Sequence, residues 1–561
     1  MKFSDMPYSR PNLEEIKTKV VNLLDRFNNA KDVDSAIEIY REYDEYTGDV
    51  YTNISLAYIR NSLDTTDEFY DKEKNALNEI SPLLREELQN FAKAVVDSKF
   101  RKELEQKWGT LMFENIEMAL KTFKPEIIAE LQEENKLTTE YGKLVASAQI
   151  EFDGKKLTLA QMGPYRESKD RTIREKAALA SSEWWMQHID KFDSIFDQLV
   201  QIRIKKAEKL GYKSFIELGY DQMTRNCYDK DMVKKFRDGV VKYIVPIVSK
   251  LKKEQAERIN VETIKVYDDP FEWPDGNAQP VGTPDDIFAH GKKMYHELSN
   301  ETKEFIDFML ENELFDVLTR PGKSAGGYCA HLPKYKSPFI FANFNGTSAD
   351  IDVLTHEAGH AYAGFVGRDI FPSDLQEYTY ETAEIHSMSM EFLTWPWMEG
   401  FFGEKTQQYY YSHLASALIF LPYGCMVDEF QHLIYENPNL KPEERNKIWL
   451  ELESKYRPYL DVKDFPFHGE GRRWQAQGHI YQRPFYYIDY CLAQIMALNF
   501  WAQSQENHKE AFDKYKELVS FGGKKTFLDV VQSSGLPSPF IEDNINIVAK
   551  AATKWLDSQN K

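Results

Sequence analysis

From residue 12 to about 145, apolar positions recur every three to four residues and polar ones fill the gaps, which predicts successive amphipathic helices. The segment "NLEEIKTKVVNLLDRF" sets Leu13, Ile16, Val20, Leu23, Leu24 and Phe27 at helical spacing, with Asn12 as N-cap and Glu15 three residues on. Near Ile150 the period shortens. "QIEFDGKKLTLAQM" alternates about Asp153-Gly154 and predicts a hairpin over 150–159. Helical periodicity then resumes to about residue 260. "DDPFEWPDGNAQPVGTPDD", residues 268–286, carries four prolines and reads as a loop before a helix near Ile287. "FIFANF", residues 339–344, reads as a short strand whose backbone edge is free to pair with an extended peptide or to lie in the core.

Two strongly apolar runs, "LASALIFLPYGCMV" and "YCLAQIMALNFWA", are shorter than a bilayer span and read as buried helices. Length and composition allow a sizeable core: 561 residues, 42% hydrophobic and 29% charged. The net charge of −20 argues against nucleic-acid and anionic-membrane partners, which require concentrated basic surface. The four cysteines form no CxxC pair, and the N-terminal stretch lacks an apolar signal core, so a cytoplasmic protein without structural disulfides is expected. "GKSAGG" (322–327) is not a phosphate loop, because Val317 stands where the first glycine of that motif belongs. Nothing in the sequence sets an oligomeric state.

Chemistry concentrates in "DVLTHEAGHAY", residues 352–362. His356 and His360, four apart on a helix, share one face and can chelate one ion, while Glu357 projects beside them as a base for water. A zinc site of this kind needs a third ligand and an open position. The helix predicted through "EYTYETAEIHSMSMEFLTW" offers Glu377, Glu381, Glu384, His386 and Glu391. Glu384 and Glu391 are two turns apart on one face, so one can ligate and the other brace; spacing alone does not choose the ligand. Asp352, four before His356, is placed either to hold that imidazole's other nitrogen or to cap the helix.

Donors to an oxyanion must come from elsewhere. "GEGRRWQAQGHIYQRPFYYIDYCLAQ" supplies His479, Tyr486, Tyr487 and Tyr490, with Pro484 able to open a helix on which Tyr487 and Tyr490 lie one turn apart.

Together "HEAGHA", "TAEIHSMSMEF", "HIYQRPFYYIDY", the "FANFNGT…DVLTHEAGHA" context and "SSGLPSPF" resemble the oligoendopeptidase F branch of the thimet-oligopeptidase-like zinc metallopeptidases, with the collagen-peptide-cleaving Pz-peptidase type among the similar relatives. The resemblance is sharp over about 318–540 and diffuse before that. It implies a large, mainly α-helical fold with a deep substrate channel and a small β element beside the HExxH helix. The N-terminal half offers no convergent chemistry and reads as a wall or lid over 1–200, which leaves a catalytic region over 201–561. By the same resemblance His356, His360 and Glu384 match the ligands of one Zn²⁺ per chain, and Glu357 matches the base that deprotonates water. His479, Tyr487 and Tyr490 match the donors to the transition state, with Tyr486 the alternative register. The implied substrates are short unstructured peptides cut at internal bonds. Two other readings remain in view. Glu357-Ala-Gly-His360 and Glu429-Phe-Gln-His432 are both ExxH pairs, as in helical di-iron carboxylate oxidoreductases. A non-catalytic peptide-binding scaffold is the other.

Overall fold

The computed structural model describes residues 1–559, and the chain is predominantly helical. The periodic N-terminal stretch folds as helices Leu13–Asn28, Val33–Leu63, Glu68–Val96, Arg101–Trp108, Thr110–Lys121 and Ile128–Ala146. Asn12 caps the first of these, its side chain accepting from the Glu14 and Glu15 amides. Most apolar residues between Ile16 and Ile116 pack a core of their own, joined by Leu375, whereas Leu56, Ile59, Leu137 and Tyr141 belong to the main core that runs to the C-terminus. The hairpin pairs Ile150–Phe152 with Lys155–Leu157, and Asp153 (φ 51°) and Gly154 (φ 71°) make the turn. The proline-rich loop gives way to helix Pro284–Leu298, where Thr283 and Asp286 form a reciprocal capping box.

The site rests on three elements. A three-stranded sheet holds Ser337–Phe344 in the middle, parallel to Phe315–Leu318 and antiparallel to Tyr328–Leu332. "FIFANF" is therefore a central strand with both edges taken, and the expectation of a free edge there is corrected. The unpaired edges belong to the outer strands, Phe315–Leu318 and Tyr328–Leu332. The near-continuous burial of Ser337–Phe344, against partial exposure of its neighbour, is the physical mark of that difference.

Helix Ala349–Gly367 follows the sheet and carries the HExxH residues. Asp350 fixes the strand-to-helix turn by accepting from the Asn345 and Gly346 amides at 2.9 and 2.8 Å. Helix Tyr380–Leu393 crosses it and packs in turn along the long helix Tyr487–Ser520. The crossing is closest at Gly359, where a β-carbon would sit 2.5 Å from the His386 carbonyl oxygen and 2.6 Å from Ser387 Cα. Backbone cannot yield as a side-chain tip can. Gly359→Ala is expected to force the two helices apart at a cost of about 3 kcal/mol. A denaturation midpoint unchanged from wild type would show that the crossing is looser than this.

The two apolar runs lie inside helices Thr406–Glu436 and Tyr487–Ser520, whose inward residues are almost wholly buried. Among the described residues no helix is long and apolar enough to cross a membrane. All four cysteines are free.

Candidate metal centre

On one face of the HExxH helix His356 and His360 stand with ring centroids 5.0 Å apart. The Glu384 Oε2 atom faces both, 3.2 Å from His356 Nε2 and 3.4 Å from His360 Nε2. These three residues form a cluster whose ligand atoms all lie within 4.8 Å of one another. The imidazoles keep 19% and 16% of their side-chain surface open and Glu384 keeps 1%, so solvent reaches the cluster from the histidine side.

Of the five candidates on the second helix, only Glu384 joins the histidines. Glu381, one turn earlier, stays outside the cluster; burial and the nearby Asp489 charge raise its pKa to about 8. His386 is buried against Tyr378 on another face, and burial takes its pKa down to about 3. Glu377 lies before the helix begins.

Glu391 braces instead. Its Oε1 lies 2.7 Å from His356 Nδ1 and its Oε2 2.9 Å from His413 Nε2, while the Trp395 indole donates to His413 Nδ1 at 2.9 Å. That last bond leaves the His413 proton on Nε2, facing the carboxylate. Burial opposes the Glu391 charge, but the two histidines outweigh it and hold its pKa below the usual range. The result is a His356 whose Nδ1 is committed and whose Nε2 is turned to the cluster. Asp352 does not hold His356. It accepts from the Tyr409 hydroxyl at 2.8 Å, and burial lifts its pKa to about 6. Nor does it cap the helix, whose N-cap is Ser348. Both expectations for Asp352 are corrected, because the carboxylate seven residues after Glu384 reaches His356 first. Sequence reasoning does not single out His413, Trp395 or Tyr409: Tyr409 and His413 come from a segment marked only by their one-turn spacing, and Trp395 lies one turn beyond Glu391 at the end of the second helix's stretch.

Glu384 is held at both oxygens. Ser387 Oγ donates to Oε2 at 2.8 Å, and the Tyr486 hydroxyl donates to Oε1. Burial opposes its ionisation, yet His360 and His356 keep its pKa well below the ordinary value. Glu357 differs. It is buried, burial raises its pKa, and its Oε2 has no hydrogen-bond partner. Gly327 at the sheet edge leaves space above it, since a β-carbon there would come within 3.3 Å of Oε1.

The donor set is therefore two imidazoles and one carboxylate, with a free carboxylate oxygen beside it. This fits one zinc with an open position for water. A dication there would also replace the imidazole protons that otherwise balance Glu384. The second ExxH pair does not join it. Glu429 is tied to Lys455 at 2.7 and 2.8 Å and to the Tyr456 hydroxyl, and His432 Nδ1 lies 3.3 Å from Asp428, with Tyr220 and Arg237 beside it. The cluster is the one possible metal site formed by His, Cys, Asp and Glu among the described residues, so the di-iron alternative has no second half.

The loop before the long helix brings His479 and three tyrosines together. Tyr423 donates to Gln477 Oε1 at 2.8 Å, which orients the amide so that Gln477 Nε2 donates to His479 Nδ1 at 2.9 Å. The ring proton then lies on His479 Nε2, 3.3 Å from the Tyr490 oxygen. Burial lowers the His479 pKa to about 4, so the ring is neutral at neutral pH. Tyr490 senses Glu384 and Glu357; Tyr486 bonds Glu384; Tyr487 packs on Tyr423 and Phe420 with ring centroids 5.9 and 5.7 Å away. Phe485, at φ 66°, sets this register. Its amide donates to Gln431 at 2.8 Å, its carbonyl accepts from Arg225 at 2.6 Å, and Arg225 also holds Asp489 at 2.8 Å. A non-glycine residue in that region is strained, by roughly 1–3 kcal/mol, and is held by these contacts.

The third ligand is testable by metal content. Glu384→Ala is expected to lose stoichiometric zinc and Glu381→Ala to keep it. Elemental analysis giving the reverse result would remove Glu384 from the site.

Residues 3–123 match the Peptidase M3 N-terminal domain and residues 283–547 match Peptidase family M3. Oligopeptidase PepF of Bacillus subtilis (strain 168) is 23% identical over 559 residues, covering 94% of this chain and 79% of that protein. Among solved structures, one described as Pz peptidase A with inhibitor 2 is 47% identical with a TM-score of 0.97, covering 99% of each chain. A putative oligoendopeptidase F from Bacillus anthracis str. Ames is 45% identical with a TM-score of 0.93, covering 100% of this chain and 98% of its own.

Proposed function

The chain belongs to peptidase family M3 and is a zinc-dependent metalloendopeptidase, and from that premise we propose that it cuts short unstructured oligopeptides admitted through a deep channel. The observation that carries the reading is the cluster of His356, His360 and Glu384 set beside the unpartnered Oε2 of Glu357.

His356, His360 and Glu384 would hold the metal. Bound there, zinc supplies Lewis acidity to the scissile carbonyl and makes water acidic enough to attack near neutral pH. Glu357 accepts the proton released as water attacks and returns it to the leaving amine. Glu391 and His413 keep His356 in one tautomer and orientation. Tyr490, with His479 behind it, and Tyr486 offer hydrogen bonds to the charge that develops on the carbonyl oxygen. Tyr487 remains the alternative donor.

Residues 1–200 are proposed as the wall over this site and 201–561 as the region that does the chemistry. Support comes from helix Val33–Leu63, which runs across the sheet end. Its Thr52 hydroxyl accepts the Lys334 amide at 2.8 Å, its Leu63 carbonyl accepts Arg320 at 3.0 Å, and Tyr40 donates to Asp374 at 2.6 Å. A site roofed in this way suits a thin, flexible chain. The free edge of Tyr328–Leu332 suits pairing with such a chain. The four free cysteines suit a reducing, cytoplasmic setting.

Mass spectrometry of a mixed peptide library before and after exposure to the zinc-loaded protein tests the reading. New internal cuts in short peptides are expected, lost on chelation and restored by zinc, while a stably folded, loop-poor protein survives. Rapid digestion of the folded protein would refute the channel, and an uncut library would refute the peptidase.

A further inference from the structure

Beyond the metal centre, four neighbouring side chains each carry a buried atom that can donate a hydrogen bond and has no acceptor. Arg166 Nε, Arg473 Nη1, His468 Nδ1 and the Tyr459 hydroxyl all lack a hydrogen-bond partner. His468 faces Arg473, Arg457 and Arg166, and burial together with these three cations keeps its ring neutral. Arg457 is committed to Glu453 at 2.9 and 2.5 Å. Asp269 lies 2.7 Å from Lys252 and faces Arg457 and Arg166. Glu167, beside Arg166, is a weak counter-ion, because burial raises its pKa to about 7. Arg166 and Arg473, which face one another, thus each keep a buried N–H without an acceptor.

Burying guanidinium groups without partners is costly, and such groups are retained where an anion completes them. The cluster adjoins the reaction centre through one ring. Tyr423 lies 5.1 Å from Arg457 Cζ, 5.6 Å from Arg473 Cζ and 5.9 Å from the Tyr487 ring, and its hydroxyl orients Gln477 and so His479.

We propose that this cluster binds a carboxylate of the peptide substrate while the scissile bond lies at the metal centre, with Arg473 and Arg166 as specificity-determining residues. The proposal rests on the peptidase reading and adds to it a preference set by charge. The carboxylate is either the C-terminal one or an Asp or Glu side chain.

The test uses zinc-loaded full-length protein and one cleavable peptide made in several forms. The first pair carries a free C-terminal acid or an amide; a second set exchanges Gln for Glu at each position in turn. One carboxylate is expected to raise kcat/KM at least tenfold, which is about 1.4 kcal/mol. If the acid–amide pair shows the effect, the C-terminal carboxylate is the ligand; if one Gln-to-Glu exchange shows it, a side chain is. Arg473→Gln and, independently, Arg166→Gln should bring that ratio towards one, with folding checked by circular dichroism. Affinities of the same peptides for the Glu357→Gln protein, measured by calorimetry, should show the same preference without turnover. A flat response in wild type overturns the proposal, as does a preference unchanged in both variants. Failure to cut any form would refute the peptidase reading itself.

Discussion

Glu357→Gln is expected to lower peptide hydrolysis by about a thousandfold or more while zinc stays near one per chain. The substitution keeps the shape of the side chain and removes its basicity. Glu357 is not among the three clustered residues, so the amide has no reason to disturb metal content. Its Oε2 is buried without a partner and Gly327 places no side chain against Oε1, so an amide of the same shape fits where the carboxylate stood. What is lost is the acceptor for the proton of the attacking water and the donor to the leaving amine. Peptide affinity should change little. Metal analysis and a cleavage assay on one purified variant decide the matter: full cleavage with full zinc would remove Glu357 as the base, and loss of zinc would make it a ligand.

How much of this was legible beforehand depended on how local each determinant is. Helices, the hairpin at Asp153-Gly154 and the Asn12 cap follow from near-neighbour spacing and were readable. So was the i,i+4 histidine pair, because one helix brings both rings to one face. The two-turn spacing of Glu384 and Glu391 announced that one could ligate and one brace, but not which. That choice depends on where Gly359 lets the second helix cross the first, a tertiary fact. Asp352 is a candidate support for His356 because proximity within one helix is visible in sequence, whereas the chain from Glu391 to His413 and Trp395 depends on how separate segments meet. The strand at 339–344 looked free-edged because pairing partners cannot be read from one strand's pattern. The N-terminal helices carry no chemical motif, and their contacts with the later chain, such as Tyr40 with Asp374, appear only in the structure.

Among the tyrosines, Tyr490→Phe is expected to lower kcat by about a hundredfold, roughly 3 kcal/mol, with little change in KM. Its hydroxyl lies 3.3 Å from the neutral His479 Nε2 and faces the Glu357 and Glu384 side of the site. A hydrogen bond made mainly to a developing oxyanion acts on kcat rather than on binding. The register of its partner is open to the same measurement. Sequence spacing favours Tyr487, one helical turn from Tyr490. Geometry favours Tyr486, whose hydroxyl already reaches Glu384, while Tyr487 packs on Tyr423 and Phe420. The cause is the positive φ at Phe485, which turns the chain just before the helix and presents residue 486 inward. Tyr486→Phe should therefore cost kcat on the scale of Tyr490→Phe, and Tyr487→Phe several-fold at most. Zinc content separates the two ways residue 486 can act: loss of metal would make its phenol chiefly a support for Glu384, whereas full zinc with reduced kcat marks a donor to the transition state. If Tyr487→Phe alone shows the hundredfold loss with zinc intact, the donor is one residue further along the chain and the inward placement of Tyr486 serves the metal centre only.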